Sequence, residues 1–363
     1  MRANLWRRSW HSMQITVEKL VHGGHGIGQY DGRRVFVPYS APGDVLAVEI
    51  AEERSGVLFC RVSQIITPAP CRVSPRCPVF GQCGGCQWQH IDYGEQLKWK
   101  RAILVEALER IGKISNSTVL DTIPSPSQWN YRNRIQLHVD SEGRIGYYRS
   151  RSKDVVEFES CLIAEEDINR ELAARREELC RRNRGVAIRL SGEAGFSQIN
   201  TAQNKRLAEL LCAWLGELPH ESVLELYAGA GNFTFALAGI AGHVTASDID
   251  GRAVRAAQLR METERATNIQ FACMPADRAA RRHGKGCDAV VVDPPRKGCA
   301  EAVDAIAEAG PASILYISCD PATLARDAHA LGNRGYKLVR SQPIDMFPQT
   351  FHIESLSLFI RVG

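Results

Sequence analysis

The stretch that decides the fold is SVLELYAGAGNF (residues 222–233). A second strand pattern, HVTASD (residues 243–248), follows it. An apolar run that leads into a glycine-rich turn is typical of a strand entering a helix in a parallel sheet. The pattern returns in DAVVVD (residues 288–293) and SILYIS (residues 313–318), with helical segments between. This alternation predicts a doubly wound α/β domain over residues 191–363, with both faces of its sheet covered by helices.

Upstream of this region the sequence predicts two further units. Residues 13–67 alternate apolar and polar positions between turn signals such as HGGHG, DG and PG, which indicates a small antiparallel barrel. Residues 68–190 begin with a Pro-, Cys- and Gly-rich loop and then carry a helix over residues 92–112, which we expect to pack on the α/β domain. Mixed strands and a charged helix follow, so we expect an α+β central domain.

Composition narrows the class of protein. The 363 residues are 44% hydrophobic and 24% charged, as in globular proteins. No apolar run could span a bilayer, and the basic residues 1–12 lack the apolar segment of a secretion signal, so we expect a cytoplasmic protein with no membrane partner. The net charge of +4 is mild, and any nucleic-acid surface must come from local clusters. The twelve cysteines then favour metal ligation or catalysis over disulfides.

The glycine-rich turn is a candidate cofactor site. Alone, it is equally compatible with a tight structural turn or a dinucleotide site. Glu225 and Asn232 flank the glycines, and Asp248 ends the next strand, where a carboxylate can accept hydrogen bonds from ribose hydroxyls. Asp277 lies where an adenine-contacting loop would fall. Because the third glycine of the dinucleotide fingerprint is missing, the pattern favours an adenosyl cofactor.

Three segments near the C-terminus carry candidate catalytic groups. They are DPPRKG (residues 293–298), SCDPATLARD (residues 318–327) and DMFPQTFHIES (residues 345–355). Asp293 follows a predicted strand, and the two prolines after it direct its carboxylate into the crevice. DPP by itself fits a structural turn or an amino-group methyltransferase equally well.

Cys319 makes a different chemistry the better interpretation. It lies at a strand end beside a predicted helix N-terminus, which we expect to stabilise a thiolate. A thiolate that adds to C6 of uracil makes C5 reactive toward a methyl sulfonium. Glu354, in apolar surroundings that would raise its pKa, can then remove the C5 proton, and His352 is a weaker candidate for this base.

A cysteine-rich segment is a candidate metal site. Cys77, Cys83 and Cys86 have the spacing C-x5-C-x2-C, with Cys71 just upstream as a possible rival ligand. A zinc knuckle is the alternative, but zinc usually takes two close pairs of ligands. Three close thiolates with a distant fourth favour a cubane iron–sulfur cluster.

Taken together, these motifs resemble the RNA uridine C5-methyltransferase family, most closely its 23S rRNA branch with TRAM and iron–sulfur domains. The resemblance runs from Met13 over nearly the whole chain. It implies that Cys319 attacks C6, that Glu354 takes the C5 proton and that Asp293 contacts the uracil edge. It also implies a pocket for S-adenosylmethionine lined by Gln198, Tyr227, Asn232, Asp248, Asp277 and Asp293. Asp248 and Asp320 stand where relatives often have Glu and Asn, which keeps the hydrogen-bonding character.

The resemblance also implies the remaining partners. It supplies Cys161, in ESCLIA, as the fourth ligand of a [4Fe–4S] cluster with Cys77, Cys83 and Cys86. The barrel is similar to a TRAM domain, an OB-like fold whose strand face binds RNA, and Tyr147 and Tyr148 could stack on bases. Candidate phosphate contacts are Arg33, Arg34, Arg132, Arg134, Arg144, Arg149, Arg151 and Lys153.

We therefore expect a monomeric enzyme that methylates a uridine of 23S rRNA, with tRNA as the alternative substrate. A rival from another class is a non-catalytic RNA-binding iron–sulfur protein. An amino-group methyltransferase is a further rival, but it would carry an aromatic residue where Arg296 stands.

Overall fold

The computed structural model of the chain describes residues 13–115, 118–191 and 198–362, and the basic residues 1–12 lie outside them. The first six strands are β1 (Met13–Thr16), β2 (Lys19–Leu20), β3 (His25–Tyr30), β4 (Arg33–Pro38), β5 (Val45–Arg54) and β6 (Val57–Thr67). They form one sheet in the order β1-β5-β6-β4-β3-β2, which curls into a half-barrel around Ile15, Val35 and Leu46. The predicted barrel-like N-terminal unit is present, but its strands are not all antiparallel, because β4 and β6 pair in parallel.

A long helix connects this half-barrel to the rest of the chain. Helix α1 (Tyr93–Arg110) begins where the Asp92 carboxylate accepts a hydrogen bond from the Gly94 amide at 2.9 Å. It ends just before Gly112, where an added Cβ would lie 2.6 Å from the Leu108 carbonyl oxygen. The predicted helix is therefore present, and Leu104 and Leu108 on its inner face are fully buried.

A second sheet of four antiparallel strands lies in the middle of the chain. Strand β7 (Thr118–Val119) comes first but belongs to the C-terminal sheet. The middle elements are β8 (Arg134–Val139), β9 (Ile145–Tyr148), β10 (Val155–Glu157), α2 (Glu166–Arg182) and β11 (Ala187–Ser191). The strands run in the order β10-β9-β8-β11, and Ile168 and Leu172 of α2 pack against them.

The C-terminal part is the predicted doubly wound α/β unit. Its elements are α3 (Thr201–Gly216), β12 (Ser222–Leu226), α4 (Thr234–Ala238), β13 (His243–Asp248), α5 (Gly251–Glu264), β14 (Ile269–Cys273), α6 (Ala276–His283), β15 (Ala289–Val292), α7 (Val303–Ala309), β16 (Ser313–Ser318), α8 (Pro321–Gly332), β17 (Tyr336–Ile344) and β18 (Glu354–Arg361). The sheet order is β14-β13-β12-β15-β16-β18-β17-β7, and the first five of these strands are parallel. Strand β18 is antiparallel to both β16 and β17, which the strand and helix pattern did not reveal.

Alternate residues of each central strand pack on opposite faces of this sheet. Leu224 and Val290 point into a core shared with α1, α6, α7 and α8, whereas Val223 and Val291 face α3 and α4. Burying each such side chain contributes about 1.5–3 kcal/mol to the stability of the fold. The packing on both faces thereby fixes where the carboxyl ends of the strands lie. None of the helices in the described ranges combines the length and apolarity that a membrane span requires.

Candidate active site and cysteine cavity

The cofactor crevice is built around the turn after β12. Tyr227 has a φ of +61°, an uncommon value for a residue with a side chain, and Gly231 has a φ of +84°. A Cβ on Gly231 would lie 2.8 Å from the Phe235 ring, so the turn requires glycine there. The Asp248 carboxylate accepts a hydrogen bond from the Gly229 amide at 2.8 Å, which ties β13 to this turn. Strained backbone held by its neighbours is typical of a ligand-binding turn.

Two further predicted pocket residues are fixed from outside the turn. The side-chain amides of Asn232 and Asn204 exchange hydrogen bonds at 2.9 and 3.1 Å. The backbone carbonyl of Gln198 accepts one from the Asn133 side chain at 2.8 Å. Asn204, on α3, carries no motif in the sequence, so only the fold identifies it. Asp277 lies in the first turn of α6.

A buried carboxyl lies beneath this turn. Glu225 is 1% exposed and hydrogen-bonds the Thr234 hydroxyl. Burial raises the pKa of Glu225 to about 8, with Asp293 and Asp248 adding to the shift. The site therefore contains more acidic groups than the catalytic motifs alone indicate.

The register of two strands places Cys319 opposite Glu354. Strands β16 and β18 are antiparallel, with Ser318 paired to Ser355, so the next pair in this register is Cys319 and Glu354. Asp293 directly follows β15, which is the other neighbour of β16. The three residues thus meet at the carboxyl end of the central strands, where open α/β sheets bind their ligands.

Burial sets the protonation of these groups. It raises the pKa of Cys319 to about 12, with Glu354 adding to the effect and Arg296 opposing it. It also raises the pKa of Glu354 to about 8 and that of Asp293 to about 7. His352 is held neutral, because burial and Arg296 lower its pKa to about 3. Glu354 is therefore a carboxyl group with the proton affinity of a base near neutral pH.

The expected stabilisation of a Cys319 thiolate by a helix N-terminus is not found. Helix α8 begins after Asp320, whose carboxylate accepts hydrogen bonds from the amides of Ala322 at 2.9 Å and Thr323 at 3.0 Å. These amides are the donors that would face an anion. The pKa of Cys319 is raised rather than lowered.

Arg296 is a site residue to which the sequence motifs gave no role. They singled it out only because an amino-group methyltransferase would have an aromatic residue at this position. Its guanidinium donates to His352 Nδ1 at 2.9 Å. It is also the cation that lowers the pKa of both Cys319 and Glu354. Its place in DPPRKG, three residues after Asp293, was the available signal.

A separate cavity brings the four predicted cysteine ligands together. Its volume is about 30 Å³. Its lining includes Cys77, Cys83, Cys86, Cys161, Tyr147 and Phe158. Burial and the neighbouring thiols raise the pKa of Cys83 to about 11. Cys71 is not among the lining residues and instead contacts the Pro42 carbonyl oxygen at 3.6 Å.

The four thiols surround a space instead of converging on one point. Across residues 13–115, 118–191 and 198–362, no three His, Cys, Asp or Glu side chains are placed to hold a single metal ion. Zinc needs ligands about 2.0–2.3 Å from one centre. The four cysteines supply soft thiolate donors, which both zinc and iron–sulfur clusters take.

A larger cavity lies between the half-barrel, α1 and the start of α8. It has a volume of about 580 Å³ and borders Pro321 and Ala322, just beyond Cys319. Its other lining residues include Lys19, His22, Arg34, Phe36, Glu106, Arg110 and Lys113. Glu106 pairs with Lys19 at 2.7 Å and with Arg110 at 2.6 Å in this cavity. Cations around an apolar floor with one aromatic ring are suited to a nucleic-acid strand.

Several of the other side chains predicted to contact RNA are engaged within the protein. Arg33 pairs with Glu53 at 3.4 Å, and Arg144 pairs with Asp140 at 2.7 Å. Tyr147 faces the cysteine cavity and stacks on Phe158 with ring centroids 5.4 Å apart, so it is not free to stack on a base.

The fold and the crevice after β12 define the chain as an S-adenosylmethionine-dependent methyltransferase of the doubly wound class. More specifically, the chain belongs to the RNA uracil-5-methyltransferase family. Residues 175–362 match the family model described as tRNA (Uracil-5-)-methyltransferase, and residues 13–71 match that of the TRAM domain of tRNA (uracil(54)-C(5))-methyltransferase. The half-barrel is accordingly a TRAM domain, and RNA is the substrate class.

Individual relatives agree with this assignment. The chain is 35% identical to an uncharacterized RNA methyltransferase of Bdellovibrio bacteriovorus, over 95% of this chain and 94% of that one. It is 29% identical to the 23S rRNA (uracil(1939)-C(5))-methyltransferase RlmD of Aeromonas salmonicida, over 96% of each. In fold it is similar to the tRNA (uracil-54, C5)-methyltransferase of Pyrococcus abyssi in complex with S-adenosyl-L-homocysteine. That match has a TM-score of 0.73 and 24% identity, over 96% of this chain and 100% of that one.

Proposed function

We propose that this enzyme methylates C5 of a uridine in 23S rRNA, with Cys319 as nucleophile and Glu354 as general base. The observation that carries the mechanism is the β16–β18 register, which sets Cys319 against a buried carboxyl whose pKa is raised to about 8. The relative named for 23S rRNA, similar over 96% of both chains, supports the substrate.

Each step of the proposed methyl transfer is assigned to a particular residue. Cys319 gives up its thiol proton to solvent, the thiolate adds to C6 of the uracil, and the electron density moves to C5. C5 then takes the methyl group of S-adenosylmethionine, leaving S-adenosylhomocysteine. Glu354 removes the C5 proton, the C5=C6 bond forms again and the sulfur leaves. Asp293 would orient the uracil edge, since it adjoins both groups at the end of β15.

The crevice after β12 fits S-adenosylmethionine. The glycines of the strained turn let a ligand approach the backbone closely, and Asp248 and Asn232 border the turn with oxygen and nitrogen groups suited to ribose and amino-acid atoms. We assign the cofactor contacts to Gln198, Tyr227, Asn232, Asp248, Asp277 and Asp293. The division into a TRAM unit of residues 13–67, a central unit of residues 68–190 and a catalytic unit of residues 191–363 is also part of this proposal.

The cysteine cavity would hold a [4Fe–4S] cluster on Cys77, Cys83, Cys86 and Cys161. Such a cluster would have a protein thiolate on every iron, so what it supplies is a covalent tie between the segment of residues 77–86 and Cys161. Protein purified without oxygen should contain about four irons per chain, an expectation from the cluster type. Replacement of Cys161 by Ser should lower that number, whereas replacement of Cys71 by Ser should not.

Transfer RNA is the second candidate substrate. Both matching family models carry tRNA in their descriptions, and so does the similar solved structure. The experiment therefore offers the enzyme both rRNA and tRNA.

A trapping experiment tests the mechanism and the substrate together. The protein and S-adenosylmethionine are incubated with rRNA or tRNA that contains 5-fluorouridine, which lacks the C5 proton that Glu354 would remove. Wild type should form an adduct that survives denaturation, and Cys319→Ala should not. Mapping the attached RNA names the uridine. A wild-type protein that binds S-adenosylmethionine but traps no rRNA or tRNA contradicts the mechanism.

A further inference from the structure

The segment between β17 and β18 leads directly into Glu354 and is held from outside along its length. Four consecutive carbonyl oxygens, those of residues 346–349, accept hydrogen bonds from elsewhere in the chain. The donors are Asn200 Nδ2 (3.3 Å), Lys100 Nζ (3.0 Å), Tyr131 Oη (3.0 Å) and, to residue 349, the amides of Gln87 (3.1 Å) and Trp88 (3.0 Å). An internal connection rarely needs so many distant donors to stay folded, since most turns satisfy themselves locally.

Gln96 of α1 is the centre of this arrangement. Its Nε2 donates to Gln349 Oε1 at 3.0 Å, and its Oε1 accepts from the Gln349 amide at 3.0 Å. The same Nε2 also lies within hydrogen-bond distance of the carbonyl oxygens of Trp88 (3.1 Å) and Ile91 (2.9 Å). Both glutamine side chains are almost fully buried, at 1% and 3% exposure.

The backbone of Gln349 is itself strained. Its φ of +68° lies in the left-handed region, which costs a residue with a side chain about 1–3 kcal/mol. The reciprocal pair with Gln96 offsets that strain, since it makes two buried hydrogen bonds in this conformation. Five residues later the chain reaches Glu354, the first residue of β18, so the conformation at Gln349 directs how this segment enters the strand whose register places Glu354 opposite Cys319.

We propose that Gln96 and Gln349 are positioning residues for the general base. This inference rests on the proposed function and assigns the pair to one step of it. Addition of Cys319 and transfer of the methyl group precede the use of Glu354 as base. Only the last step needs it: Glu354 takes the C5 proton, the released electron pair forms C5=C6, and the bond between C6 and sulfur breaks. A displaced Glu354 therefore prolongs the life of the methylated adduct without preventing its formation.

The test uses the full chain, S-adenosylmethionine with a labelled methyl group, and RNA with ordinary uridine at the mapped site. Gln96→Leu should lower turnover roughly tenfold to a hundredfold, with unchanged KM for both substrates. It should also accumulate a denaturation-resistant adduct that carries the label. Leu108→Ala, in the core face of the same helix, should lower stability without accumulating the adduct.

A second variant protects the test against misfolding. Gln349→Asn keeps a residue type that tolerates positive φ and keeps the backbone bond to Gln96 Oε1, but its shorter side chain loses the bond from Gln96 Nε2. It should therefore accumulate the labelled adduct as Gln96→Leu does, to a smaller extent. Glu354→Gln is the reference, because it should accumulate the labelled adduct most strongly. If Glu354→Gln does so and neither glutamine variant does, the positioning role is wrong. If Glu354→Gln accumulates none, the base assignment is overturned, and the positioning role with it.

Discussion

The stability of Glu354→Gln relative to wild type should increase with pH. Burial, with Asp293 adding, raises the pKa of Glu354 from 4.5 to about 8. Because the folded state holds this proton more tightly than the unfolded state, the stabilising contribution is fully present below the unfolded pKa of 4.5. It is lost as pH rises through about 8. Relative to low pH, ionisation of Glu354 in the unfolded chain therefore lowers the free energy of unfolding of the wild type by about 2 kcal/mol at about pH 6 and by about 5 kcal/mol at about pH 9.

Glutamine has no such proton, so the pH-dependent part of this cost disappears in the variant. Urea unfolding of both proteins between pH 6 and pH 9 measures this pH-dependent difference in the free energy of unfolding. The stability difference between Glu354→Gln and wild type should rise by about 3 kcal/mol across that range, whatever constant offset the buried amide introduces. A difference that stays flat with pH would refute the claim that burial raises the pKa of Glu354.

Two further predictions concern the RNA cavity and the buried ion pair. Arg110→Ala and Lys113→Ala, at the rim of the 580 Å³ cavity, should each raise KM for RNA and reduce the salt dependence of binding by about one unit of log–log slope. The matched control Lys285→Ala, an exposed lysine before β15, should do neither, and equal effects of all three would contradict the assignment of the cavity. Lys100→Met, which leaves Asp345 buried without its partner at 2.5 Å, should cost about 3–5 kcal/mol in chemical unfolding. Adding Asp345→Asn should restore part of it, and a further loss in the double variant would show that the pair is not coupled.

The sequence was sufficient for the parallel half of the catalytic sheet. Strands buried on both faces are continuous apolar runs, so β12, β15 and β16 were recognisable, and the residues after them could be placed at one edge. The position of β18 was not predictable in this way. Its sequence identifies a strand but not its neighbour, and the neighbour is what sets Glu354 opposite Cys319.

The inner face of α1 shows a second limit. The apolar pattern predicted the helix, but it does not show which side chains the fold buries, and Ile111 at the helix end is 46% exposed. Gln96 and Lys100 are buried instead, because their partners Gln349 and Asp345 lie 253 and 245 residues away in the chain. Periodicity counts such polar residues as outward-facing, and only the fold supplies the groups that compensate their burial.

These buried polar contacts and the acidity of the site are connected. A general base works best when its pKa lies near the working pH, and the cause that raises the pKa of Glu354 is burial. Burial also favours any movement that returns the carboxylate to water, since an ionised carboxyl group is costly to keep in an apolar setting. A segment that could relax would therefore lose both the position and the proton affinity of the base. The contacts of Gln96 and Lys100 with residues 345–349 oppose that relaxation with neutral amides and one internal ion pair, whose opposite charges largely offset each other.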